Sequence, residues 1–168
     1  MKYNSDIHHR QSIRLQGYDY SQKGMYFVTI CAQNKECLFG KIENSKMILN
    51  DAGNMIAVWW QKLFEKFTGI VMDEYVVMPN HLHGIIQIIG NNQSRRNILG
   101  ENMVSPLRNK YDGQYIRNVK QNHWKPFDKH IWQKNYYEHI IRNEKSLANI
   151  REYIITNPQN WKKDDLYM

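Results

Sequence analysis

Two β-rich runs, Ile70 to Met78 and His81 to Ile89, are separated only by Pro79-Asn80, and that spacing dictates a tight reversal between antiparallel strands. Side chains two apart on a strand share a face. His81 and His83, at the start of the second run, therefore project together while Leu82 points into the opposite apolar layer. Paired imidazoles can grip one cation, but any polar strand face can carry two histidines, and two neutral rings leave a cation short of ligands. A third group must come from elsewhere in the fold. The groups available include His123, His130, His139 and the side-chain amide of Asn157.

The rest of the chain is read around that pair. Residues 1 to 24 are polar and basic and end in the turn signal Ser21-Gln22-Lys23-Gly24, which predicts an arm ahead of a central strand over Met25 to Ile30. Leu38 to Ile42 and Lys46 to Leu49 flank Glu43-Asn44-Ser45 and predict a hairpin. Asn50 or Asp51 can cap a helix running to about Phe67, with Met55, Val58, Trp59, Leu63 and Phe67 at helical spacing. Residues 90 to 123 read as an irregular or partly helical insert, because Pro106 and Gly113 interrupt any long helix there; a short helix from about Gln114 to Gln121 is the exception. Ile131 to Ile141 is aromatic and β-branched enough for another strand. Asn143 then caps a last helix with the apolar stripe Leu147, Ile150 and Ile154, ended by Asn157-Pro158. These elements predict an α+β, ferredoxin-like antiparallel sheet with helices packed on one face.

The length of 168 residues suits a single domain over 1–168, and 42% apolar with 23% charged residues is an ordinary globular mix. A formal charge of +7 favours a polyanionic partner. Two cysteines, Cys31 and Cys37, make no disulfide framework, and Cys31 inside the first strand reads as a free, buried thiol. No apolar run approaches the roughly 20 residues of a membrane span, and the polar opening stretch lacks a signal-peptide core, so no membrane partner and a cytoplasmic location are expected.

The last helix supplies the chemistry. Tyr153 and Asn157 are four residues apart and share a ridge beside the apolar stripe. If that ridge faces the histidine strand, Asn157 can lend a carbonyl oxygen to a cation and Tyr153 can present its phenol beside it. A phenol has a pKa of about 10 and is a poor nucleophile at neutral pH, but a cation that polarises a phosphate makes it competent. A tyrosine nucleophile keeps the phosphodiester energy in a covalent link, which allows rejoining rather than hydrolysis.

These residues resemble the HUH single-strand tyrosine transposases, and most nearly the REP-associated tyrosine transposases and their transposase-like relatives. The resemblance runs from Arg14-Leu15-Gln16-Gly17-Tyr18-Asp19-Tyr20, through Tyr75-Val76-Val77-Met78-Pro79-Asn80-His81-Leu82-His83-Gly84, to Tyr136-Tyr137-Glu138-His139-Ile140-Ile141-Arg142-Asn143 and Arg151-Glu152-Tyr153-Ile154-Ile155-Thr156-Asn157-Pro158. It implies a DNA-nicking and strand-transferring enzyme in which Tyr153 attacks hairpin-flanked single-stranded DNA and forms a 5′-phosphotyrosine. By position, His81 and His83 match the metal-binding pair, holding Mg²⁺ or Mn²⁺. Relatives carry a glutamine four residues after the tyrosine as third ligand, where this chain has Asn157. The resemblance implies a monomer or homodimer.

Arg10 and Arg14 near the start, and Arg108, Lys110 and Arg117 in the middle segment, are the cations expected to follow a phosphate backbone. Trp124, Phe127 and Trp132 are expected in the core rather than stacked on bases. The middle segment reads Ser105-Pro106-Leu107-Arg108-Asn109-Lys110 where relatives carry a helix with a Phe-Lys-Ser-like core. That departure supports the alternative reading, a domesticated protein that binds hairpin nucleic acid without cutting it. A water-activating zinc hydrolase is the third reading.

Overall fold

The computed structural model describes residues 22–67, 69–90, 101–134 and 136–167, the stretch 101–110 by its backbone alone. In chain order the elements are β1 (Gly24–Cys31), β2 (Gly40–Glu43), β3 (Lys46–Leu49), α1 (Asp51–Lys66), β4 (Ile70–Val77), β5 (His81–Ile88), α2 (Glu101–Gln121), β6 (Tyr137–Ile141) and α3 (Glu144–Asn160). β4, β5, β1 and β6 form one antiparallel sheet in that order, while β2 and β3 pair separately. The α+β, ferredoxin-like sheet read from the sequence is the fold of the chain.

Local signals account for most boundaries. Asn50 caps α1, its side chain accepting from the Gly53 N–H at 2.9 Å, and Asn143 caps α3 in the same way through the Ser146 N–H at 2.8 Å. Asn44 and Ser45 take left-handed φ values of 49° and 61°, the twist that a two-residue hairpin turn needs between β2 and β3. Met78 and His81 close the β4–β5 reversal through a 2.8 Å backbone hydrogen bond.

The sheet has apolar layers on both faces, and here the helices depart from the one-sided arrangement. Tyr26, Val28 and Ile30 of β1 and Leu82, Ile86 and Ile88 of β5 share one core with Met55, Ile56, Trp60 and Leu63 of α1 and with Tyr111 and Tyr115 of α2. Ile85 and Ile141 form a second, smaller core with Leu147 and Ile154 of α3, flanked by Met25 and Phe27. Strand alternation therefore sends α1 and α2 to one face and α3 to the other. The histidines belong to the α3 face, because His81 and His83 alternate with Leu82.

Other expectations are corrected at particular residues. α1 buries Trp60 rather than Trp59, and Val58 is exposed. The reason lies in Gly84, where any Cβ would overlap the Trp60 indole, so the missing side chain on β5 is what lets that ring lie against the sheet. α2 is a continuous 21-residue helix through Pro106 and Gly113. It persists because Tyr111 and Tyr115 are fully buried, against Phe39, Trp132, Trp124 and Phe127, and that burial outweighs a lost backbone bond and a glycine. The strand expected over Ile131 to Ile141 is confined to β6, with Ala32 and Trp132 joined by an isolated bridge. α3 does not stop at Asn157-Pro158 but continues to Asn160, with a 3-10 turn over Trp161–Lys163 beyond it. Trp132 is buried, and Trp124 and Phe127 are packed against the core, as the sequence suggested. Cys31 is free and buried. The N-terminal arm lies outside the described residues for all but its last three positions.

Candidate active site

β5 and α3 bring the residues of interest into one place on the sheet. His81 and His83 are 0% and 3% exposed, with ring centroids 4.3 Å apart. Tyr153 sits on the exposed flank of α3, 44% accessible, and its hydroxyl oxygen is 3.1 Å from His83 Nε2. Phe27 of β1 supports both rings, lying against His83 and edge-on to Tyr153. Asn157, one turn after Tyr153, is buried. Of the sequence-predicted site residues, His81, His83, Tyr153 and Asn157 are thus gathered together.

The sequence reading did not anticipate Asp164. The 3-10 turn after α3 is anchored by Trp161, whose ring is buried 5.8 Å from that of His81, and it returns the chain to the histidines. Asp164 Oδ2 accepts from the Tyr153 hydroxyl at 3.1 Å and from Asn157 Nδ2 at 2.8 Å, while its Oδ1 accepts from the Leu166 N–H at 2.7 Å. Nitrogens of His81 and His83 and an oxygen of Asp164 all lie within 4.8 Å of one another, a group that could hold a metal ion. Lys162-Lys163-Asp164-Asp165 reads in sequence as a solvated charged tail, and only the buried Trp161 hints that it folds inward. His123, His130 and His139 do not join this group.

Within this cluster, two buried atoms of described residues show no hydrogen-bond partner: His81 Nε2 and Asn157 Oδ1. An imidazole nitrogen and an amide carbonyl left bare beside a carboxylate form a donor set that suits a divalent cation. Asn157, expected from the sequence as a third ligand, has its oxygen without a partner among the described residues, while its nitrogen donates to Asp164.

Burial sets the electrostatics of the cluster. Burial holds both imidazoles well below their ordinary pKa, and His83, which also faces His81, falls to about 3. Both rings are therefore neutral and able to donate lone pairs at neutral pH. Burial pushes Asp164 upward, but the Asn157 amide, the Leu166 N–H and the two imidazoles outweigh it and hold the carboxyl below its usual range. The Tyr153 phenol is raised, first by burial and then by the Asp164 carboxylate beside it. Cys31, opposite His81 in the β1–β5 register, is pushed up to about 11 by burial and stays a neutral thiol.

The predicted DNA-binding cations are not gathered by this geometry. Arg10 and Arg14 lie outside the described residues, and Arg108 and Lys110 belong to the part of α2 described by backbone alone. Arg117 is exposed on α2, which packs on the opposite face of the sheet from the histidines.

No family model matches the chain. An uncharacterised protein of Haemophilus influenzae is 46% identical over 178 aligned residues, covering 99% of this chain and 98% of its own. A second protein of that organism, named as a REP-associated tyrosine transposase, is 26% identical over 143 residues, covering 83% of this chain and 73% of its own. Among solved structures, a REP-associated tyrosine transposase bound to a REP hairpin superposes with a TM-score of 0.54 at 22% identity, covering 88% of this chain and 74% of that one, a likeness of fold. With the His-x-His strand, the late-helix tyrosine and the ferredoxin-like sheet, the chain is similar in sequence and in fold to REP-associated tyrosine transposases.

Proposed function

We propose that the protein nicks and transfers single-stranded DNA next to a hairpin, through a covalent 5′-phosphotyrosine on Tyr153. The observation that carries this reading is the 3.1 Å approach of the Tyr153 hydroxyl to His83, within a cluster whose bare atoms suit a cation. His81, His83, Asp164 and Asn157 are the residues that would hold Mg²⁺ or Mn²⁺, and the imidazoles make Mn²⁺ at least as suitable as Mg²⁺. When bound, the cation supplies Lewis-acid charge to the phosphate oxygens.

The chain's own residues then divide the work. α3 holds the phenol at the solvent-facing edge of the cluster, where a single strand can reach it without entering the core. Asp164 and His83 both touch the hydroxyl and fix its orientation. The raised phenol pKa keeps Tyr153 protonated while no substrate is engaged. On attack, a bond forms from the phenol oxygen to phosphorus and the bond from phosphorus to the 3′ oxygen breaks. The phenolic proton leaves, and the departing strand takes up one proton as a 3′-hydroxyl. A REP hairpin is bound by the solved relative, which supports a hairpin-flanked strand as the substrate class here.

End-labelled hairpin DNA with a single-stranded flank, incubated with Mn²⁺ and run on a denaturing gel, tests the reading. A protein-linked band that disappears in Tyr153→Phe is expected. Persistence of that band in Tyr153→Phe would remove Tyr153 as the nucleophile. Hairpin binding with no covalent product would instead favour a domesticated binder.

A further inference from the structure

Asn80 ends the β4–β5 reversal and is 1% exposed, and its side chain touches three groups. Its nitrogen Nδ2 lies 3.0 Å from the Lys35 carbonyl oxygen and 2.8 Å from the Leu166 carbonyl oxygen. Its oxygen Oδ1 lies 2.8 Å from Nδ1 of His81. Carbonyl oxygens only accept, so the amide end facing both of them is the NH₂, and both of its hydrogens are committed. The opposite end is then an oxygen with no proton to give. The ring nitrogen it faces must carry one, and a neutral imidazole has only one to carry.

We propose that Asn80 is a positioning residue that fixes His81 as the Nδ1–H tautomer, so that the Nε2 lone pair faces the cluster before any cation arrives. His81 Nε2 is a buried nitrogen without a partner among the described residues, which is where a bare lone pair is expected. Thr29 makes the contrast: its hydroxyl lies 2.7 Å from Nδ1 of His83 and can either donate or accept, so it supports that ring without dictating its proton. The anchoring is shared with the carboxylate. Leu166 holds Asn80 through its carbonyl and Asp164 through its N–H, so one residue of the returning tail orients both sides of the cluster. This inference rests on His81 being a cation ligand, since a fixed lone pair serves no other purpose in the proposed reaction.

Long-range proton–nitrogen NMR on the metal-free, full-length protein labelled at histidine reads the tautomer directly, at a mildly alkaline pH where both rings are neutral. Wild type is expected to show His81 protonated at Nδ1 alone. Asn80→Asp keeps an oxygen acceptor facing Nδ1 and should keep the tautomer, at a cost in stability because its other oxygen meets the Lys35 and Leu166 carbonyl oxygens. Asn80→Ala should release it to a mixture and weaken Mn²⁺ binding, measured by titration calorimetry, by about 10- to 100-fold, the usual effect of removing a ligand's supporting contact. A wild-type His81 protonated at Nε2 overturns the proposal, as does an Asn80→Ala spectrum and Mn²⁺ affinity unchanged from wild type. Should Asn80→Ala fail to fold, the wild-type and Asn80→Asp spectra still decide. Failure of the ligand reading shows separately, as wild-type protein with the expected tautomer and no Mn²⁺ binding.

Discussion

At the scale of single residues, the account turns on which atoms at the cluster are satisfied and which are left bare. Asp164 is an anion whose carboxylate lies within 4.8 Å of nitrogens of both imidazoles and accepts from Tyr153. Asp164→Ala is expected to weaken Mn²⁺ binding by more than the roughly 10- to 100-fold typical of a lost supporting contact, as read by calorimetry; affinity equal to wild type would exclude it as a ligand. The imidazoles also set a pH dependence. Their folded pKa values lie below the ordinary value of about 6.5, so between the two the unfolded chain binds more protons than the folded one. Stability of the metal-free protein is therefore full above about pH 6.5 and lost as pH falls below it, by up to about 1.4 kcal/mol per histidine per pH unit. Urea unfolding with a chelator present, across that range, should show this slope, and His83→Gln should flatten it. The His-x-His pair and Tyr153 were legible in the sequence because period two on a strand and an i, i+4 ridge on a helix are local geometry. Asp164 and the role of Asn80 were not, because both depend on where the tail after Trp161 lands.

Among the elements, α3 is tied to the sheet by an ion pair that can be tested by itself. Arg151 of α3 makes two bonds to Asp73 of β4, from Nε at 2.8 Å and from a terminal nitrogen at 2.5 Å. Asp73 sits where the β4–β5 register shifts between Met72 and Tyr75, and this irregularity lets it reach across to the helix. Arg151 holds the Asp73 carboxyl below its usual range. Arg151→Ala should raise amide hydrogen exchange along α3 and lower the rate of covalent adduct formation more than it lowers hairpin binding; unchanged exchange would show that the ion pair does not steady the helix. On the opposite face, Gly84→Ala should displace the Trp60 indole, destabilise the fold by about 1–3 kcal/mol and shift the tryptophan emission. The hairpins and both capped helix starts were readable because turns and caps are written in neighbouring residues. α2 and the true end of α3 were not, since tertiary burial of Tyr111, Tyr115 and Trp161 overrides the local signals of Pro106, Gly113 and Pro158.

At the scale of the whole molecule, a four-stranded sheet separates two tasks. One face carries the larger core under α1 and α2, and the other carries the cluster and the helix that bears Tyr153. The sequence showed the sheet but not this division, because helical periodicity tells which side of a helix is apolar and not which face of a sheet it meets. A net charge of +7 predicts that hairpin binding weakens steeply with salt. Replacing a lysine or arginine that contacts a phosphate should reduce that salt slope by about one. The reaction proposed for this cluster joins a tyrosine covalently to DNA. Mass spectrometry of peptides from protein reacted with hairpin-flanked single-stranded DNA and Mn²⁺ tests it most directly. A nucleotide-bearing peptide modified at Tyr153 is expected; modification at another tyrosine such as Tyr136 or Tyr137, or cleaved DNA with no modified peptide, would overturn that role.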